Sequence, residues 1–573
     1  MSSLDWFVIG ASLLGIVVYG VWRGRGSADL GGYLLAGRTM RWPAIALSIM
    51  ATQASAITFL SAPGQGFADG MRFIQFYLGL PIAVIILAAT AVPIYHRLKV
   101  YTAYEYLERR FDAKTRTLAA SLFLVQRGLA AGLTIYAPSL VLSVLLGWNI
   151  YLTNLLIGTL VIVYTASGGA KAVQYTQVVQ MLVIFFGFGI AFILILNSLP
   201  AGVSFTDAAM VAGKMGKLNA IDFSFDLTNR YNIWSGLVGG TFLLLSYFGT
   251  DQSQVGRYLT GRSIAESRVG LLANGFVKIP MQCAILFLGA MVYVFYLFAA
   301  PPVFFNPVEV ERVRAGAYGA AFREVESRYD AVSVERNQRV RAYVDARHSG
   351  DASAEAETER ALQAADADAK TVRADAVAII QRNDPSAQTS DTNYVFLSFV
   401  LGHMPVGVVG LVLAAIFAAS MSSTSAELNA LSSTTSVDFY KRFFAGAQQG
   451  VAAAVAKREV LVSKWATVFW GIFAIAFAEY ASRLGSLIEA VNILGSLVYG
   501  TILGIFLVAF YLKRVGGNAV FLSALIAEVA VVVCFLFTDI SFLWYNVVGC
   551  LGVVGLSLLL TASGTKTPEP ATA

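Results

Sequence analysis

The sequence predicts an all-α polytopic membrane protein. Three observations carry the prediction: an apolar bulk composition, repeated apolar runs of spanning length, and cationic residues gathered in alternate connections. Of 573 residues, 57% are hydrophobic and 13% charged, and the mean hydropathy is +0.67; a soluble chain needs more polar surface than this. A transmembrane helix takes roughly 20 apolar residues, so the length holds about a dozen spans and one sizeable loop. The formal charge of +6 is unevenly spread, so the position of the cations matters more than their sum, and nucleic acid is excluded as a partner.

In order, the runs lie near Leu4–Trp22, Pro43–Phe67, Phe73–Tyr95, Leu118–Leu146, Ile150–Tyr164, Val173–Leu196, Trp234–Val255 and Val269–Phe298, then Val406–Leu431, Leu461–Ala478, Leu487–Tyr511, Phe521–Phe537 and Leu543–Leu560. The first is followed by Arg23 and Arg25 rather than preceded by a basic segment, so it reads as a retained span and not a cleaved signal. An odd number of spans puts the two termini on opposite sides.

Lys and Arg are retained on the cytoplasmic side. With the N-terminus outside and the C-terminus cytoplasmic, the inward connections hold Arg23, Arg25, Arg38 and Arg41, then Arg97 to Arg116, Arg257 to Arg268, Lys441 to Lys464, and Lys513 with Arg514. Outward loops, the long insertion aside, offer only Arg72, Lys214, Lys217, Arg230 and Arg483. The expected location is the plasma membrane, or the inner membrane of a bacterium.

Between 299 and 392 the composition turns to Ala, Glu, Asp and Arg, and this topology puts the segment outside. Phe322, Val325, Tyr329 and Val332 share one helical face, and Leu362, Ala365, Val372, Ala376 and Ile379 another, with the turn His348-Ser349-Gly350-Asp351 between them. An antiparallel helical hairpin is expected, either solvated or docking a protein partner. Cys283, Cys534 and Cys550 lie in apolar runs and form no disulfide framework, and His96, His348 and His403 have no metal-binding spacing. No nucleophile and base pair is recognisable, so an enzyme is not expected.

Two spans are interrupted by small and polar residues: the second at Ser48 to Thr58 and then Pro63-Gly64-Gln65-Gly66, the seventh at Ser246 to Gln254. One Ser or Thr in a span serves helix packing, but interruptions at the start of two sets of five spans are a sign of inverted-repeat transporters. In the ninth span, the hydroxyls of Ser422 and Ser423 and the carbonyl of Ala419 can offer three neutral oxygens. Carbonyls of the broken second span near Ala51 and Ala54 can complete a five-oxygen shell. Uncharged oxygens suit a monovalent ion that must be released, whereas calcium calls for carboxylates.

S-x-x-A-x-x-x-S-A at Ser48–Ala56, G-G-x-x-A-V-x-x-T-x-x-x-Q at Gly168–Gln180, D-Q-x-x-x-x-R-Y-L at Asp251–Leu259, P-V-G-V-x-G at Pro405–Gly410 and the serine cluster before Asp438 occur in this order. In these motifs the chain resembles the sodium/solute symporter family, whose members carry sugars, proline, sialic acid, iodide, vitamins and monocarboxylates. The resemblance implies a LeuT-like core of inverted five-helix repeats. Residues 1–42 are then the first span and its loop, 43–198 the first repeat, 233–512 the second repeat interrupted by the 299–392 insertion, and 513–573 two terminal spans and a tail. It further implies that Ala51, Ala54, Ala419, Ser422 and Ser423 hold sodium, the coupling ion.

By the same resemblance, positions Gln53, Thr58, Tyr136, Tyr247, Lys278 and Asn492 contact the solute, with Tyr247 as an inner aromatic lid. Lys278 and Arg127 are deep cations whose burial costs several kcal/mol unless partnered; an ion pair and solute contact both fit, and Glu489 is one carboxylate able to compensate. Ile57 and Thr58 replace the Glu-Gln of sugar-carrying relatives, which favours small carboxylates, vitamins or anions. Gln177 replaces a family acidic residue, so one sodium per cycle is expected. Symport of a small polar solute is the leading reading, with a proton-coupled carrier or a solute receptor as alternatives.

Overall fold

Every long apolar run is helical. The computed structural model describes residues 1–24, 30–444 and 452–563, and among them the only β pairing is an isolated bridge between Met40 and Gly261. Arg25 and the tail from 564, both placed inside by the sequence reading, lie outside the described residues.

The membrane part starts with α1 (Ser3–Gly24), then α2 (Trp42–Gln53) and α3 (Ala56–Asp69), which together make the broken second span. A 3-10 segment Gly70–Gly79 leads into α4 (Leu80–Ala89) and α5 (Ala91–Leu98). Next come α6 (Ala113–Leu146), capped by the Asp112 carboxylate on the Thr115 amide, and α7 (Ile150–Asn197). The last carries the fifth and sixth runs, divided at Gly169, whose φ of +59° favours glycine. A Cβ there would meet the Tyr33 ring at 2.6 Å.

After α8 (Phe205–Lys214), the seventh span is broken into α9 (Gly240–Gly249) and α10 (Gln252–Tyr258), and α11 (Ile264–Phe298) follows. The insertion forms α12 (Gly319–Ser349) and α13 (Ala352–Asn383), and α14 (Thr392–His403) returns the chain to α15 (Val408–Thr434). The series ends with α16 (Ala452–Ala481), α17 (Leu487–Tyr511), α18 (Gly517–Phe537) and α19 (Phe542–Ala562). Among the described residues, 11 helical stretches are long and apolar enough to cross a bilayer. They match the expected spans because Ala56–Leu98 carries parts of two of them and the interrupted seventh falls short at Ser235–Gly249.

Glycines let α3 and α11 touch backbone to backbone. A Cβ on Gly289 would stand 2.0 Å from the Pro63 carbonyl oxygen, one on Gly66 2.3 Å from that of Leu286, and one on Gly64 1.8 Å from that of Thr392. Small residues at such contacts replace the hydrophobic drive that lipid does not supply.

The hairpin turns at Gly350, with φ +74°, and restarts under the Asp351 cap, where the sequence signal lay. Phe322, Val325 and Tyr329 pack with Val372, Ala376 and Ile380 in a small core of their own. Ile380 rather than Ile379 takes the fully buried place, one turn after Ala376. At its tip Asp207 is met by Arg347 at 2.7 Å and by His348 at 3.2 Å. Nearer its base, Arg336 donates to the Tyr296 carbonyl at 3.2 Å and Asn337 to that of Phe298. A further helix at Pro307–Ala315, capped by Asn306, was not foreseen from periodicity.

Candidate functional site

The break in the second span is two residues long. Ala54 leaves the helix at φ −81°, ψ 71°, and Ser55 is extended before α3 begins. The carbonyl of Ala51, in the last turn of α2, accepts the Ser422 hydroxyl at 2.9 Å, so the broken span is bonded directly to α15. The Ser423 hydroxyl turns back to the carbonyls of Ala419 (3.1 Å) and Ser420 (3.2 Å). Ala51, Ala54, Ala419, Ser422 and Ser423 are all fully buried. The donor set is uncharged, and hydroxyl protons can rotate away to present lone pairs to a cation. The residues therefore fit a small monovalent ion.

Gln177 of α7 closes this cluster. Its Oε1 accepts the Ser48 hydroxyl at 2.5 Å, and its Nε2 donates to Thr52 Oγ1 (3.2 Å) and to the Ser422 carbonyl (3.3 Å). One amide thus joins α2 and α15, and its neutrality adds no charge to the oxygen set. On its other flank, α15 is tied to α6: the hydroxyls of Ser420 and Thr424 donate to the Thr134 carbonyl and hydroxyl, both at 3.0 Å.

Beside the break lies a cavity of about 100 Å³ lined in part by Gln53, Thr58, Tyr247 and Asn492. These four are the sequence-predicted solute residues that the fold brings together. Gln53 Nε2 is buried with no acceptor among the described residues, so it presents an unused donor. The Tyr247 hydroxyl accepts from Gln254 at 2.6 Å, and Asn492 Nδ2 donates to the Ile488 carbonyl at 2.7 Å, leaving the Asn492 oxygen as an acceptor. Tyr136 is elsewhere, lining a cavity of about 590 Å³ toward the insertion with Glu309, Arg312 and Tyr394. Lys278 does not line the central cavity; it lies 5.9 Å from the ring of Tyr77, which does, and its ammonium has no hydrogen-bond partner among the described residues.

The central cavity also contains an ion cluster that sequence reasoning found only by half. Arg127 of α6 donates to Glu427 at 3.0 Å and to Asp251 and the Tyr499 hydroxyl, and its guanidinium lies 5.6 Å from the Tyr247 ring. Glu427, one turn after Ser423, also accepts from Thr134 at 2.7 Å. Arg127 stands out in the sequence as a lone cation; Glu427 is the one acidic residue in the polar stretch of the ninth span and was readable on the same ground. Glu489 pairs instead with Arg230 at 2.7 Å and with the Tyr231 hydroxyl at 3.0 Å.

The second break is arranged differently. Tyr258, Tyr95 and Tyr104 place their hydroxyls on the carbonyls of Phe248 (3.1 Å), Gly249 (2.8 Å) and Thr250 (2.9 Å). Asp251 caps α10 through Ser253. Its freed carbonyls are thereby satisfied by side chains.

The sodium:solute symporter family model matches residues 33–325 and 370–527. The chain is 33% identical over 296 residues to the sodium-dependent multivitamin transporter of Oryctolagus cuniculus, covering 51% of this chain and 45% of that protein. It is 30% identical over 302 residues to the human sodium/iodide cotransporter, covering 52% and 46%. The chain spans about half the length of these curated relatives. A substrate-bound, outward-open Na+-coupled sialic acid symporter superposes with a TM-score of 0.74 at 21% identity, over 98% of both chains, and so shares this fold. The first matched segment takes in both broken spans and the second the serine-bearing helix, and the chain belongs to the sodium:solute symporter family.

Proposed function

We propose that the protein is a symporter that couples the entry of one sodium ion to the import of a small polar organic solute by alternating access. The observation that carries this reading is the Ser422 to Ala51 bond beside the cavity of Gln53, Thr58, Tyr247 and Asn492. An ion held by Ala51, Ala54, Ala419, Ser422 and Ser423 would lock α15 to the broken span that forms one wall of that cavity. Sodium drives transport only through different affinities for the two states of the carrier, so ion and solute each favour the other's binding. A membrane potential of about 100 mV adds about 2.3 kcal/mol per charge moved.

The solute class we favour is a small carboxylate or similarly polar molecule, because Gln53 offers a free donor and the sugar-specific Glu-Gln pair is absent. The named relatives that carry vitamins and iodide support the same branch. Lys278 and Tyr136 belong to this proposal as outlying solute contacts. Sodium is preferred over protons because Arg127 engages Asp251 and Glu427, the buried carboxylates it meets at the central cavity. In this reading residues 43–198 and 233–512 are the inverted repeats, the protein sits in the plasma membrane with its N-terminus and the 299–392 insertion outside, and it carries out no catalysis.

Uptake into proteoliposomes tests the proposal. Accumulation should require sodium and vanish with choline, and Ser422→Ala and Ser423→Ala should each raise the half-saturating sodium concentration about tenfold, the loss of roughly one cation-directed oxygen contact. Equal accumulation in choline, or an unchanged sodium dependence in both variants, would reject it. Uptake driven by a pH gradient in choline would transfer the coupling to protons.

A further inference from the structure

Where the hairpin meets the membrane part there is a third cavity, of about 210 Å³, walled by Phe67, Tyr293 and Tyr296 on one side and by hairpin residues on the other. Four cations reach it, Lys217, Arg336, Lys370 and Arg373, against two carboxylates, Asp366 and Asp391, which leaves a net charge of +2. The carboxylates are already committed. Asp366 is shared by Lys370 (2.8 Å) and Arg336 (3.4 Å), and Asp391 takes Arg373 at 2.5 Å.

Lys217 has no carboxylate within ion-pair distance among the described residues. Its ammonium donates to the Ala68 carbonyl at 2.6 Å and lies 4.4 Å from the Tyr293 ring. Both Lys217 and Arg336 are only 6% exposed, and Arg336 Nε has no acceptor among the described residues. Uncompensated buried charge is costly. Burial, with the charges of Lys370 and Arg373 beside it, pushes the Lys217 ammonium down to about 8, against the opposing pull of Asp366 and of Asp69 in the adjoining cavity. The surroundings thus ask for an anion, and aromatic walls ask that part of it be apolar.

We propose that this cavity binds a small organic carboxylate, its oxygens on Arg336 and Lys217 and its apolar part against Tyr293 and Tyr296. The occupant would bridge the hairpin to the end of α3, whose opposite end lines the central cavity. This assignment does not depend on the coupling ion or on what the central cavity carries.

Benzoate, acetate and sulfate, titrated calorimetrically into the detergent-solubilised full chain in sodium-free, low-salt buffer, test it, with hydrogen exchange locating the bound ligand. Benzoate should bind saturably and protect peptides around Arg336 and Asp366. Arg336→Gln should weaken it about tenfold, the loss of a charge-assisted bond. Lys370→Gln, at a side chain 65% exposed and so safe for folding, should weaken it about threefold. Affinity should fall as pH rises through about 8, where Lys217 loses its proton. No saturable binding, unchanged affinity in both variants, protection confined to the central cavity, or sulfate binding more tightly than benzoate would each overturn the assignment.

Discussion

Arg127 stands between two carboxylates in the middle of the membrane part, and removing it leaves both without a counter-charge. Arg127→Met is expected to destabilise the protein by about 3–5 kcal/mol, the usual effect of breaking a buried pair. Adding Glu427→Leu and Asp251→Asn should return part of that loss, read as unfolding midpoints in detergent. The residue scale is where the sequence is most and least legible. A lone arginine in an apolar run announces itself, yet its partner Glu427 lies 300 positions away along the chain, beyond any local pattern. Gln177 shows the same limit: the sequence shows a neutral side chain at this position, but not that its amide spans Ser48, Thr52 and Ser422. Gln177→Glu exchanges two donated bonds for a buried charge, so its thermal stability should become more sodium-dependent than that of the parent chain. Equal sodium-induced shifts in the two proteins would contradict the assigned position of the ion.

At the scale of elements, apolar run length and composition placed nearly every span, and the two interruptions were visible as clusters of small and hydroxyl residues. How tightly the elements approach one another was not visible, because a glycine that admits a backbone reads the same as one that does not. Gly64 and Gly10 make the contrast. A Cβ at Gly64 would stand 1.8 Å from a carbonyl oxygen of α14, whereas nothing lies within 4 Å of one at Gly10 in α1. Gly64→Ala should cost about 3 kcal/mol or prevent folding, since backbone atoms cannot yield as a side chain can. Gly10→Ala should be neutral or slightly stabilising, as alanine is the better helix former. Similar unfolding midpoints for both variants would show that α3 and α14 are not packed this closely.

For the molecule as a whole, the hairpin was legible as two helices and a turn, because helical periodicity needs only local sequence. Its seat was not, since Arg347, Glu359 and Arg336 find partners on α8 and α11 that no periodicity connects. Asp207 is the anchor at the tip. Burial raises its carboxyl, but hydrogen bonds from Ser204 and His348 outweigh that and hold it below the usual carboxylate range. A carboxylate lowered in the folded state contributes stability above its unfolded value near 4, and that contribution is lost as pH falls through the lower folded value. The tip should therefore loosen below about pH 4, and Asp207→Asn should loosen it at neutral pH, seen as faster hydrogen exchange around Gly350 with α6 unchanged. Finally, three tyrosine hydroxyls tie down the carbonyls of Phe248, Gly249 and Thr250 at one joint of this molecule, while the joint at Ala54 is held by two smaller hydroxyls, Ser422 on the Ala51 carbonyl and Thr58 on that of Gln53. Anyone wishing to hold the molecule in a single pose should therefore engineer a latch at the first joint, whose hydroxyl contacts are fewer than the tyrosines of the second.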